Sequence, residues 1–275
     1  MPRQLPAMVV AEVRKVFTRG SAMAALAVAL VVGLGAVLVM WKIEGMTEGG
    51  PSVNGTPVSA MVSASGIDVA GGALWARNFF VLPLFLLLAG ASAVGGELGD
   101  RTLRELVVRP VPRWSVLVSK LVALALLSAA TLALTLVPSL ALGTAFFGLA
   151  PADAGVDTPT VGALLGGYAA SFLSDLGLLT IVTAASLVVP SVGGTVVAVA
   201  LVLLVDLAIR GLLSLLSTFG VAEAAQIQPY TLGNALACWE GWKDGWDVAQ
   251  FGALAAFVAV AVAFAVARFH RMDVP

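Results

Sequence analysis

The chain has one cysteine, Cys238, and one histidine, His270, in 275 residues. A single thiol excludes an intrachain disulfide, and a single imidazole beside it leaves no Cys/His zinc cluster and no Cys-x-x-Cys redox pair. His270 lies in the C-terminal tail, so no imidazole is available inside the apolar regions and hydrolysis within a membrane is hard to build. No G-x-x-x-x-G-K-[ST] loop occurs either, which excludes P-loop binding of nucleotide phosphates. Charge is equally scarce. Only 11% of residues are charged, where about a quarter is ordinary for soluble domains. The chain is 60% hydrophobic, and its apolar residues come in long runs.

An uncharged helix of about 20 residues crosses the ~30 Å hydrocarbon layer at 1.5 Å per residue. Residues 21–40 form the first such span, followed by a stretch over 41–77 rich in Gly, Ser and Pro that reads as an irregular loop. The second span covers 78–96 and contains Pro83, which a membrane helix tolerates when neighbours satisfy the freed carbonyl. No charge occurs over 121–152, a run too short for two crossings. It gives one third span over 121–148, with Pro138 as its point of bending. The fourth span covers 161–189, the fifth 194–216 after a turn at Pro190, and the sixth 248–267. Residues 217–247, with Pro229 and three tryptophans, hold apolar pieces too short to cross. Residues 2–19 put Leu5, Met8, Val9, Val13, Val16 and Phe17 at helical spacing with Arg14 and Lys15 to the other side, as an amphipathic helix lying in the headgroup plane does. The fold expected is all-α: one polytopic membrane domain over 1–275 with six transmembrane helices, in contact with membrane lipid and with no nucleic-acid partner.

Cations set the orientation. The N-terminal segment carries four Lys/Arg, the loop between spans two and three five, and the tail two, eleven of the fifteen in the chain. By the positive-inside rule both termini and that loop face the cytoplasm of a multi-pass cell-membrane protein. Trp41, Trp75, Trp239, Trp242 and Trp246 then fall at the outer boundary and Trp114 at the inner one, as an aromatic belt.

The loop, 97–120, is the one charged island in the chain. Ionised groups are expensive in hydrocarbon, so it is expected to stand in water at the membrane face. Within it, 102–108 allows two helical turns stopped by Pro110 and Pro112. Leu103, Leu106 and Val107 share a stripe with Arg104 and Glu105 off it, a form suited to a groove on a soluble partner. Glu97 and Arg101 are spaced for an i,i+4 ion pair. Glu97-x-x-x-Arg101-Thr102-Leu103-x-x-Leu106-Val107-x-Arg109-Pro110-x-x-Arg113, followed by Lys120, closely resembles the pattern of the ABC type-2 permease family, the membrane subunits of certain ATP-driven exporters. Arg101 stands where many members carry Gly. The resemblance covers about 25 residues, and the six-span plan and the N-terminal helix are similar to that family too. It implies that the island is a cytoplasmic coupling helix, with Glu97, Arg101, Thr102, Leu103, Arg104, Leu106, Arg109, Pro110 and Arg113 docking on a separate ABC ATP-binding subunit. It further implies a pathway formed with a second permease chain, identical or paralogous, and places 217–247 as outer re-entrant helices. This chain would then be no enzyme and hold no cofactor or metal; ATP and Mg would sit on the partner.

Three ionisable residues fall inside the expected spans: Asp175, Asp206 and Arg210, each a functional-site candidate by default. Asp206 and Arg210 are spaced to pair along one helix face. Ser171, Ser174 and Asp175 share a face of the fourth span. Both clusters are expected in the outer half of the bilayer, where a bond between Asp175 and Arg210 is feasible and could line a polar pathway. The other reading is an interhelical clamp with Arg210 snorkelling outward. If Asp175 and Asp206 instead carry protons, the chain is a proton-coupled secondary transporter, which would call for broken helices near the midplane. Gly162-x-x-x-Gly166 fits close helix packing.

Overall fold

A computed structural model describes residues 4–44, 52–53, 56–57, 65–79, 81–100, 113–150 and 160–271. The first helix, α1 (Gln4–Phe17), is followed by α2 (Gly20–Glu44). A two-residue antiparallel pairing, β1 (Ser52–Val53) with β2 (Thr56–Pro57), comes next. Then follow α3 (Gly66–Phe79) and α4 (Val81–Ala91), the latter continued by a π-helical stretch, Ser92–Gly96, and a last turn, Glu97–Gly99. The long helices α5 (Arg113–Phe147), α6 (Val161–Ser186) and α7 (Val192–Thr218) come after it. Short helices α8 (Ala222–Ile227), α9 (Leu232–Leu236) and α10 (Gly241–Asp244) precede the last one, α11 (Val248–Arg271). Six helices are long and apolar enough to cross a membrane. An all-α, polytopic membrane protein is therefore the fold, and six crossings put the two ends of the bundle's chain on one face.

Helix α5 carries the packing. Its 35 residues reach about 52 Å at 1.5 Å per residue, well beyond the hydrocarbon layer. Helices α1 and α2 pack along it from one side and α3 and α6 from others. Pro138 lies inside it and has no N–H, which leaves the Leu134 carbonyl without its helical partner. Gly33 of α2 sits over that point: a Cβ there would lie 3.0 Å from the Leu134 oxygen and 2.8 Å from that of Thr135. Only glycine lets α2 approach so closely. Thr135 also donates its hydroxyl to the Ala29 carbonyl at 3.3 Å, so this level of α5 matches the middle of α2.

Several boundaries differ from the sequence expectation. Part of 41–77 is not irregular: α3 occupies Gly66–Phe79 and buries Ile67, Ala70, Ala73, Leu74 and Arg77 against the bundle. Ser65 caps its start: the Ser65 hydroxyl accepts the Asp68 N–H at 3.2 Å and donates to the Asp68 carboxylate at 2.5 Å. The candidate second span, Leu82–Gly99, falls on α4 and its continuation, and α3 precedes it. Pro83 lies within α4. Helix α5 begins at Arg113, so residues 113–120 of the charged island are helix. Lys120 is buried at 1% exposure and Glu97 at 4%, so neither stands in water.

Candidate functional site

Glu97 and Lys120 bracket the charged segment, and the fold brings them together. The Lys120 ammonium lies 2.5 Å from Glu97 Oε2, 3.1 Å from Glu12 Oε2 and 3.0 Å from the Ala93 carbonyl. Those contacts use all three ammonium donors. The other Glu97 oxygen receives Lys15 at 2.5 Å and Arg19 at 2.7 Å. Ala93 belongs to the π-helical stretch, a local form often found at functional positions. Around these charges Val16, Val94, Leu117, Leu124 and Phe269 close an apolar shell. Helix α1 thus does not simply lie on lipid: it turns Glu12 and Val16 inward against the start of α5, while Val10 and Arg14 stay exposed.

The docking residues Arg101, Thr102, Leu103, Arg104, Leu106, Arg109 and Pro110 lie outside the described residues, and so does the expected Glu97–Arg101 pair. Arg113 is the first residue of α5. Glu97 is placed, and its described partners come from α1 and α5.

A second buried cluster sits near mid-bundle. Arg77, fully buried, places Nη2 2.6 Å from Asp175 Oδ2 and 3.0 Å from the Thr131 hydroxyl. Its Nη1 donates to Asn78 at 2.6 Å and to Ser171 at 3.1 Å, and Ser128 donates to Asp175 at 2.6 Å. Arg77 Nε has no hydrogen-bond partner among the described residues. Thr131 is one turn from Thr135, so the pair lies about 6 Å along α5 from the level of mid-α2. Asp175 is paired with Arg77, not with Arg210.

Asp206, midway along α7, accepts Arg210 Nε at 2.9 Å and the backbone N–H groups of Leu232 and Gly233 at 2.8 and 2.9 Å. The carboxylate so caps α9 from another helix and holds Arg210 across it. A side chain at Gly233 would collide with the Arg210 guanidinium. Ser174 donates to the Leu236 carbonyl at 2.5 Å, which draws α9 down to the middle of α6. Ala235, Cys238, Trp239 and Trp242 are buried in the bundle, whereas α8 is exposed except at Ala224. Gly162 meets only Thr160 nearby, whereas Gly166 and Gly167 seat the Trp246 and Trp242 side chains, so the small residues of α6 receive indole rings.

Between α3, α4, α6, α7 and α9 lies a cavity of about 640 Å³, within the range of small-molecule sites. Asn78, Ser174, Asp175, Arg210 and Glu240 give it polar groups, and Leu87, Leu178, Leu203 and Leu207 are among its apolar walls. Glu240 stands on the short segment before α10, and burial raises its carboxyl above the ordinary range while Arg210 partly opposes the rise. Among the described residues no group of three or more His, Cys, Asp or Glu is placed to hold a metal ion.

Fold and site together define a multi-pass α-helical membrane protein with paired charges inside its bundle. Residues 57–275 match the family described as Protein of unknown function (DUF2705), and the chain belongs to that family. No curated protein matches it.

Sequence reasoning found Asp175, Asp206 and Arg210 because their charges interrupt apolar runs. It missed Arg77, Glu12 and the burial of Lys120 and Glu97, because each stands next to a polar stretch and reads as solvated. A signal existed at Arg77, which continues the stripe Ile67, Ala70, Leu74 at helical spacing.

Proposed function

We propose that this chain is the membrane permease subunit of an ATP-driven exporter, which works with a second permease chain and a separate ATP-binding subunit. The observation that carries the reading is the Glu97–Lys120 ion pair. It joins the two ends of the charged segment to each other and, through Glu12, Lys15 and Arg19, to α1. A segment held at its root transmits force on its tip into both α4 and α5. A loop with loose ends would absorb it. The arginines of 101–113 are the contact with the motor, the termini are cytoplasmic, and ATP and Mg belong to the partner. Reversing the charge of Arg104 or Arg109 is expected to abolish transport and stimulation of the partner's ATPase, with membrane insertion unchanged. Full transport by both variants would refute the assignment.

A proton-coupled transporter is the second reading, favoured by one feature: an ion pair, Arg77–Asp175, buried inside the bundle. It assigns the proton to Asp175, since Asp206 is committed to capping α9. Transport that survives ATP depletion but stops with an uncoupler would favour it over the exporter.

A further inference from the structure

Three ionisable side chains line the cavity: Asp175, Arg210 and Glu240. Two are already neutralised. Asp175 faces Arg77 at 2.6 Å, and Arg210 faces Asp206 at 2.9 Å. Glu240 has no ion-pair partner among the described residues. The cavity and its immediate counter-charges, Asp175, Arg77, Arg210, Asp206 and Glu240, therefore sum to one negative charge, borne by Glu240. Burial raises its carboxyl, and Arg210 only partly opposes the rise.

The walls supply the rest of a recognition surface. Trp75 and Phe79 stack with ring centroids 4.9 Å apart, and both line the cavity with Trp239. Trp75 and Phe79 are exposed at 54% and 72%, and Leu204 and Leu207 opposite them on α7 at 59% and 55%. The cavity is thus reached through a gap edged by aromatic and aliphatic side chains. Aromatic faces attract cations, and the leucines suit an apolar body.

We infer that this cavity binds a hydrophobic organic cation, its charge directed at Glu240 and its apolar part against Trp75, Phe79 and the α7 leucines. As a statement about cargo this rests on the exporter reading; binding itself needs neither nucleotide nor partner. An anion drawn to Arg210 is the opposite outcome. The Arg210 charge is matched by Asp206, whose remaining acceptor capacity goes to Leu232 and Gly233.

Tetraphenylphosphonium and tetraphenylborate, nearly the same shape with opposite charge, separate these outcomes. The full chain is placed in phosphatidylcholine nanodiscs, and equilibrium binding of each probe is measured with empty discs subtracted. Tetraphenylphosphonium is expected to bind saturably at about one per chain and tetraphenylborate to show no saturable component. Glu240→Gln is expected to weaken the cation about 10-fold, and Glu240→Asp to keep it within about 3-fold, by loss or retention of one charge contact in a partly desolvated site. Glu240 is on the surface side of its segment, so neither variant removes a core group. Equal binding of the two probes, tighter binding of the borate, or an unchanged Glu240→Gln affinity would overturn the inference. Loss of ATP-driven transport with cation binding intact would count against the exporter reading alone. Absent binding with ATPase coupling intact would count against the cavity alone.

Discussion

Lys120 has three N–H donors and three acceptors around them, from α1, α4 and the chain turn leading to 101–112. Burying that ammonium is costly, and only the geometry of its partners offsets the cost. Removing the lysine takes from Glu12 its cation in an apolar shell and leaves it beside Glu97, which keeps Lys15 and Arg19. Lys120→Met is therefore expected to lower stability by about 3 to 5 kcal/mol, the usual penalty of orphaning a buried charge. The double variant with Glu97→Gln should recover part of that loss, because the repulsion between Glu97 and Glu12 goes too. Thermal unfolding in detergent, compared across the four members of the cycle, measures the coupling. Cys238 shows burial acting on a neutral group. Its thiol is 1% exposed, 3.7 Å from the Ala170 carbonyl, and pushed up to about 11 by desolvation. The raised value favours the protonated form at every pH below it, so at pH 8 about one molecule in a thousand carries the reactive thiolate. Maleimide is expected to spare Cys238 in the folded protein and modify it after unfolding in SDS; rapid native labelling would contradict the packing described.

At the scale of elements, the short helix α9 is held in mid-bundle by one carboxylate. Five residues cannot sustain a helix alone, and α9 stays in place because Asp206 satisfies two of its orphan N–H groups while Ser174 holds its C-terminal carbonyl. Asp206→Asn keeps the shape but swaps one acceptor oxygen for a donor and leaves Arg210 without a counter-ion. Local opening of 222–244 should become easier by about 1 to 3 kcal/mol. Hydrogen exchange would show it as faster exchange confined to that segment, with α5 unchanged; uniform loss of protection would mean that Asp206 supports the whole bundle instead. These elements differ in how readable they were. The spans are plain in the sequence because uncharged runs of 20 residues have few other uses. Helix α3 was not, since Gly66, Gly71, Gly72 and Asn78 make it look like a loop, though Ser65 and Asp68 spell its start. Asp206–Arg210 was visible as an i,i+4 pair. Arg77–Asp175, Arg19–Glu97 and Lys120–Glu12 join residues 98, 78 and 108 positions apart, and only the packing of whole helices sets such pairs. Local spacing says nothing of them.

For the molecule as a whole, everything proposed depends on which way the bundle stands in the membrane. The exporter reading requires the root of the charged segment, with α1, to face the cytosol. Six crossings then force Thr18, Asp100 and Ser191 to that face, and Val221 and Asp247 to the opposite one. All five are exposed, so a cysteine at any of them meets an aqueous or interfacial reagent. The native Cys238 is buried and protonated, so it can stay in place as a silent background. A membrane-impermeant maleimide applied to intact cells is expected to label Val221→Cys and Asp247→Cys, and to label the other three only in inverted vesicles. The eleven cations expected on the α1 face argue for this orientation, but three of them, Lys15, Arg19 and Lys120, are paired with the buried Glu97. Lys120 in particular is buried and faces Glu12 and Glu97 rather than lipid. Without Lys15, Arg19 and Lys120, which are paired with Glu97, eight cations still stand on that face against four elsewhere, so the bias survives. Labelling of Asp100→Cys from outside intact cells would reverse the molecule and, with it, remove the cytosolic motor's access to the charged segment.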